Sequence, residues 1–160
     1  MTWPGTLPTW LAGKRASADA LQDFADALNT IGEPWTAWTP VWTASTTNPT
    51  IGNGSLTGRK LEAGKLTFAT ISIVFGSTTT VGVGTYAFTT PSTMFNFRAL
   101  TGNAELLDAS ASVVIPRILL PLTTTAFAVS EFTPTRVAAT SPITWATGDR
   151  IDIGLCYEAV

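Results

Sequence analysis

The sequence predicts a mainly β protein, with a jelly-roll-like antiparallel β-sandwich head behind an extended arm and one short N-terminal helix. Its 160 residues suffice for one ordinary domain and an arm. A helical periodicity is found only between residues 17 and 31, and the runs after residue 35 are rich in threonine, β-branched and aromatic residues separated by turn signals. We therefore divide the chain into a docking arm, 1–16, an oligomerising helix, 17–34, and a head, 35–160.

The arm contains proline and glycine at a density that forbids a regular helix, and its apolar content is too high for a solvated tail. Two interpretations stay open: the arm packs on its own domain, or, as we favour, it docks as an extended peptide in a groove of another protein. The docking residues would be Trp3, Leu7, Trp10, Leu11, Lys14 and Arg15.

The helix is predicted from Ser17, which can cap its N-terminus, to Ile31, with Gly32 placed to end it. Apolar residues spaced three and four apart form a coiled-coil seam, and two heptads are too short to associate unaided. We favour three copies held together by a larger body over a helix that lies on its own β domain. The seam is Leu21, Phe24, Leu28 and Ile31.

Eight strands are predicted in the head, with turns at 62–64, 82–84, 101–103 and 147–149. In the third of them, alternation changes parity near Ala69, which indicates either a bulge or burial of both faces. The strands are Thr36–Thr43, Gly54–Leu61, Lys65–Phe75, Gly84–Thr89, Ala111–Leu120, Ala126–Phe132, Arg136–Thr140 and Arg150–Glu158.

The segment Val113–Leu120 is apolar at both parities, as expected for a strand covered on both faces. Pro116 cannot donate a ladder hydrogen bond, so this strand should be at an edge or bulged. An apolar edge invites pairing, and a neighbouring subunit would be its natural cover.

Composition excludes several classes of protein. Only 12% of the residues are charged and 45% are hydrophobic, with a net charge of −2, so the chain is neither disordered nor suited to bind nucleic acid. So little charge predicts that part of the surface is covered by copies of the chain or by a partner. No apolar run approaches the roughly 20 residues that span a bilayer, which predicts no membrane insertion.

The start of the chain lacks the basic and apolar regions of a signal peptide, so we expect a protein made and kept in a cytoplasm, or exported by another route. Cys156 is the only cysteine, which excludes an internal disulfide and a cysteine zinc site.

Catalysis is not expected. The absence of histidine removes the commonest general base and most catalytic zinc sites. Asp149 and Asp152 flank a turn and a strand, where acids are ordinary, and neither a phosphate-binding loop nor a calcium cluster is present. We expect no catalytic residue, no cofactor and no metal.

The six tryptophans are candidates for stacking on sugar rings. Core packing or a subunit interface is the favoured place for each of them. Trp145, just before the turn at 147–149, is the best candidate in the head for surface recognition.

Three segments carry a family resemblance: WTAWTPVWTASTTNPTIGNGSLTGRK, FGSTTTVGVGTYAFTTP and ITWATGDRIDIGLCYEA. They resemble the β domain of virion proteins of tailed phages that infect actinobacteria, often described as minor tail or head-fibre proteins. Trp38 stands where that family commonly has tyrosine. The opening MTWPGTLP also resembles the start of such proteins, and the main resemblance covers residues 35–160.

The resemblance implies a homotrimeric β-sandwich appendage on the outer surface of a phage particle, made in the host cytoplasm. A capsid decoration protein or head fibre would be anchored by its arm to the major capsid protein or another virion protein. The alternative is a tail fibre or receptor-binding tip that recognises the host envelope, including its glycans. Length favours the first, since only about 34 residues precede the head. A lectin with no virion role would leave the tryptophan-bearing arm unexplained.

Overall fold

The computed structural model describes residues 18–31, 34–131 and 135–160. The predicted arm, 1–16, and the predicted cap Ser17 lie outside these ranges. Helix α1 covers Ala18–Ile31, with Asp19 in its first turn. Leu21 and Leu28 are 53% and 52% exposed, so these two seam residues are uncovered in the single chain. The side chains of Phe24 and Ile31 lie outside the described part.

The head is a nine-stranded antiparallel sheet in the described residues, with the order β1-β3-β4-β9-β6-β7-β8-β5-β2. Every neighbouring pair of strands is antiparallel. A short 3-10 helix, Phe97–Ala99, precedes β6. The strands are β1 Thr36–Trp38, β2 Trp42–Ala44, β3 Ser55–Ala63, β4 Leu66–Val74, β5 Tyr86–Thr89, β6 Thr101–Asp108, β7 Val113–Thr123, β8 Ala126–Ser130 and β9 Arg150–Glu158.

The sheet curls because its two edges are consecutive in the chain. The segment predicted as one strand, Thr36–Thr43, divides into β1, which pairs with β3, and β2, which pairs with β5. In a flat sheet of nine strands the edges would lie roughly 38 Å apart, since strand spacing is about 4.8 Å. The three residues between β1 and β2 reach at most about 14 Å. The edges must therefore approach one another around the core.

Strand β4 is regular, and both explanations of its parity change are wrong. Its register against β3 and β9 runs without a shift, so it contains no bulge. Ile71 and Ile73 face the core, whereas Leu66 and Phe68 are 42% and 37% exposed on the outer face. The apolar residues change parity because the first two lie on the outer side of the sheet.

The predicted turn at 101–103 is instead the beginning of β6, a strand that the sequence prediction missed. A Cβ on Gly102 would lie 2.2 Å from the carbonyl oxygen of Gly154, so glycine is required by close strand approach rather than by a turn. Conversely, the predicted strand Arg136–Thr140 forms isolated bridges, including Thr85 with Ala138, and no named strand.

Strand β7 lies between β6 and β8, so it is not an edge strand, and its register against β8 shifts between Pro121 and Thr123 rather than at Pro116. Strand β6 pairs with Val113–Ile118, while β8 pairs only from Ile118 onwards. At Pro116, therefore, β6 is the partner of β7 on one side, and no described strand pairs with it on the other. Val113 and Val114 are 46% and 55% exposed, so this segment is not covered on both faces within the single chain.

Candidate functional site

The motif NPTIGNG, residues 48–54, is joined by hydrogen bonds to a second loop that follows β4. The side-chain oxygen of Asn53 accepts hydrogen bonds from the backbone N and Oγ1 of Thr78 at 2.9 and 3.0 Å, and its Nδ2 donates to Ser77 Oγ at 3.0 Å. Thr50 and Thr80 pair through backbone and side-chain atoms. Gly52 has φ +56°, and a Cβ there would lie 2.3 Å from the carbonyl oxygen of Thr78. The motif therefore has a structural role, because it holds the two loops together.

The turn at 147–149, with the sequence Thr-Gly-Asp, also connects separate segments. It does so through Asp149, which is 1% exposed. Its two carboxylate oxygens accept backbone hydrogen bonds from Ala109 at 2.9 Å and from Ala146 at 2.6 Å. The backbone of Asp149 and Gly148 also pairs with Phe75, beyond the end of β4. A single buried carboxylate thus joins the β6–β7 turn to the segment before β9.

Trp145 is buried, so its prediction as a surface-recognition residue is wrong for this chain. It is 8% exposed, and its ring stacks on Phe75 with centroids 4.6 Å apart and planes 6° apart. Its Nε1 donates to the carbonyl oxygen of Ala138 at 2.9 Å. Trp42 contacts Phe75 and Tyr86 edge-on, so these rings form one aromatic core cluster.

Burial rather than catalytic pairing explains why the pKa values of Tyr86 and Cys156 are raised. Burial raises the pKa of the Tyr86 hydroxyl, which donates to the carbonyl oxygen of Val81 at 2.9 Å. Burial also raises the pKa of the Cys156 thiol. Within the part of the chain that is described, no group of three metal-ligating side chains occurs. No described helix is both long and apolar enough to cross a bilayer.

The outer face of β3, β4, β9 and β6 carries an open groove that runs across the strands. Strand register places three cross-strand rows side by side. The middle row contains Gly154, which has no side chain, and residues of all three rows line the groove. We call this the outer groove. Its middle row is Arg59, Thr70, Gly154 and Asn103, its apolar row Leu61, Phe68, Cys156 and Thr101, and its polar row Thr57, Ser72, Asp152 and Glu105.

Two adjoining cavities form this groove. The polar part has a volume of about 490 Å³ and includes Arg59, Glu105 and Asp152 in its lining. The apolar part has a volume of about 290 Å³ and is bordered by Trp35 and Phe68. Both parts share Thr70, Asn103 and Gly154, so they are continuous. The volume of the polar part is in the range of ligand sites, roughly 300–1,000 Å³, and that of the apolar part is just below it.

Sequence reasoning did not find this groove, because its residues come from four strands. One local signal was available: Gly154 places a residue without a side chain at an outward position in the middle of β9. The predicted docking residues, Trp3 to Arg15, lie outside the described residues.

Comparison with protein-family models, with curated proteins and with solved structures finds no match to this chain.

Proposed function

We propose that this protein is a non-enzymatic structural protein of a phage particle, a homotrimeric capsid decoration protein or head fibre anchored by its N-terminal arm. The observation that carries the proposal is the uncovered seam of α1. Leu21 and Leu28 lie seven residues apart on the helix and are both about half exposed. Such a short amphipathic helix is stabilised mainly by tertiary or quaternary packing. Three copies would cover each other's seams.

The head in this proposal is a jelly-roll-like sandwich made by the curled sheet. Strands β3, β4, β9 and β6 would form one layer, and β7, β8, β5 and β2 the other. Trp42, on β2, contacts Phe75, just beyond β4, with ring centroids 5.5 Å apart. This contact between strands far apart in sheet order supports two facing layers.

A structural role also suits two motifs of the resemblance, NPTIGNG at 48–54 and TGD at 147–149, whose side chains act within the chain. Asn53 and Asp149 use their polar atoms on neighbouring loops. Neither side chain is arranged as a general acid or base beside a second free carboxylate. The motifs therefore support a rigid head rather than a reaction centre.

The arm would hold the trimer on the major capsid protein or another virion protein, with the heads on the outer surface of the particle. The runner-up function is a tail fibre or receptor-binding tip. The specific observation that favours it is the outer groove, which contains exposed aromatic and polar side chains.

Light scattering after gel filtration tests the trimer. The chain has a mass of 16.9 kDa, and we expect a particle of three times that mass. Leu21→Asn with Leu28→Asn should lower the mass of the particle or weaken its association, because both changes remove apolar seam surface. The matched control, Gln22→Ala with Asn29→Ala, changes exposed residues outside the seam. A wild-type monomer at micromolar concentration would refute the trimer.

Co-sedimentation with phage particles that lack the protein tests the anchor. Deleting residues 1–16 should leave a folded trimer that no longer attaches to particles, and Trp3→Ala with Trp10→Ala should approach the same loss. Each interface tryptophan can contribute about 2 kcal/mol or more, and three arms act together. Sedimentation of the truncated protein with particles at the wild-type level would exclude the arm as the anchor.

A further inference from the structure

Gly154 lies in the middle of β9, where glycine weakens a strand because it lacks a packing side chain and gains more freedom on unfolding. Two features within a chain usually explain such a glycine, a bulge or a close approach of another segment. The registers of β9 against β4 and β6 run through Gly154 without a shift, so no bulge is present.

Close approach within the chain does not explain Gly154 either. A Cβ built on it would meet only the Asn103 side-chain oxygen, at 3.9 Å, which is ordinary contact. The other glycines in strands differ. A Cβ on Gly58 would lie 2.6 Å from the Trp38 indole nitrogen, and one on Gly102 would lie 2.2 Å from a backbone oxygen. Gly154 thus keeps open a space that the described chain does not fill.

Polar groups around this space are available to a ligand. Asn103 and Glu105 make no side-chain hydrogen bond or ion pair with the described residues, and both are exposed. Arg59 uses one guanidinium nitrogen on the carbonyl oxygen of Trp35, at 3.4 Å. These side chains supply several donors and acceptors on both sides of Gly154. A ligand that lies across the groove can therefore form hydrogen bonds along its length.

Charge and shape narrow the class of ligand. Arg150 pairs with Asp152, which leaves one cation, Arg59, and one anion, Glu105, at opposite ends of the outer groove. This balance favours a neutral ligand over a phosphate or a polycation. Phe68 and Trp35 are 37% and 38% exposed at the apolar part of the outer groove, and their rings offer flat contact surface.

We propose that the outer groove binds a neutral oligosaccharide, with Gly154 as its floor, Phe68 and Trp35 as stacking surfaces, and Arg59, Asn103 and Glu105 as hydrogen-bonding residues. Sugars combine hydroxyl groups with apolar ring faces, which matches the polar row and the apolar row of the outer groove. The groove spans four strands, roughly 14 Å at the usual strand spacing, which suits a short chain of sugars rather than one ring. This inference does not depend on attachment to a particle or on the number of subunits.

The experiment is an NMR titration of the isotope-labelled full-length protein with neutral oligomers of glucose, galactose, mannose and N-acetylglucosamine, each to millimolar concentration. With at least one sugar, we expect shifts of the backbone amides of Thr70, Asn103 and Gly154 and of the Trp35 indole. Absence of shifts with all four sugars would overturn the proposal. Shifts confined to residues outside the outer groove would overturn it as well.

Gly154→Val is the decisive variant, because its side chain would occupy the groove floor without backbone strain. We expect sugar affinity to fall at least ten-fold with an unchanged thermal midpoint. The matched control, Ala87→Val, adds the same side chain to a half-buried outward position of β5. Should Gly154→Val fold poorly, Asn103→Ala with Glu105→Gln tests the same groove through exposed side chains. Unchanged sugar affinity in a folded groove variant refutes the proposal, and so does a change in oligomer mass without sugar binding, which assigns the groove to contacts between copies.

Discussion

The two faces of strands β4 and β9 differ sharply although they belong to the same two stretches of chain. On the inner face, Ile71, Ile73, Ile153 and Leu155 are at most 4% exposed. On the outer face, the same strands carry exposed Phe68, a glycine and polar side chains. Strand alternation thus places the residues that pack the core on one face and the residues of the proposed binding groove on the other. Inner residues should control unfolding, and outer ones should be replaceable without loss of the fold.

The largest expected effect comes from truncating the inner face. Ile153→Ala removes a buried side chain that is 3% exposed, which should lower the free energy of unfolding by about 2–5 kcal/mol. Its neighbour on the outer face provides the control, since Gly154→Val should leave stability unchanged or raise it slightly. Urea unfolding measures both. Equal destabilisation by the two changes would contradict the proposed division between the faces.

The second comparison is between two carboxylates three positions apart. Asp149→Asn places an amide NH₂ against one of two backbone donors, Ala109 N or Ala146 N, so the free energy of unfolding should fall by about 1.5–3 kcal/mol. Asp152→Asn changes a partly exposed pair with Arg150 and should cost no more than about 1 kcal/mol. The measurement is again urea unfolding, at neutral pH. A larger loss of unfolding free energy for Asp152→Asn than for Asp149→Asn would mean that this outer-face residue stabilises the fold.

The third comparison sharpens the difference between polar residues that hold the fold and those that are available to a ligand. Asn53→Ala removes three side-chain hydrogen bonds to the loop that contains Ser77 and Thr78. The free energy of unfolding should fall by about 1–2 kcal/mol. Asn103→Ala removes an exposed amide without a described side-chain partner and should change thermal stability little. Differential scanning calorimetry compares the two variants. A clear loss for Asn103→Ala would indicate that this residue serves the fold instead of a ligand.

A smaller effect is expected at Asp108, the last residue of β6. Hydrogen bonds from the backbone of Ala111 and the side chain of Ser110 lower the pKa of its carboxyl below the ordinary value of 3.8. Its contribution to stability is therefore present above the unfolded-state pKa and is lost as pH falls through the lower folded-state value. Asp108→Asn should slightly reduce the acid dependence of the thermal midpoint below pH 4. An unchanged slope between pH 4 and pH 2 would show that this carboxylate does not stabilise the turn.

Local sequence patterns predicted some elements well and others poorly. The alternation of Ile151, Ile153, Leu155 and Tyr157 predicted β9 with the bounds that the structure has. The residues Thr-Gly-Asn at 101–103 are typical of a turn, so the start of β6 was not predicted. Gly102 is instead required by its close approach to β9. Trp145 looked available next to a turn, yet Phe75, just beyond β4, covers its ring. Each error involves a residue whose environment is supplied by a segment far away in the chain.

The mainly β class, the position of the last strand and the turn at 147–149 follow from the sequence alone. Their signals are local: side-chain alternation, β-branched residues and a glycine next to an aspartate. The folded chain is needed to see that β1 and β2 occupy opposite edges of one curled sheet, and that Arg59, Thr70, Gly154 and Asn103 form one row. Strand order and register arise from long-range pairing, which a local pattern does not encode. For that reason the outer groove is a property of the fold and of no single stretch of chain.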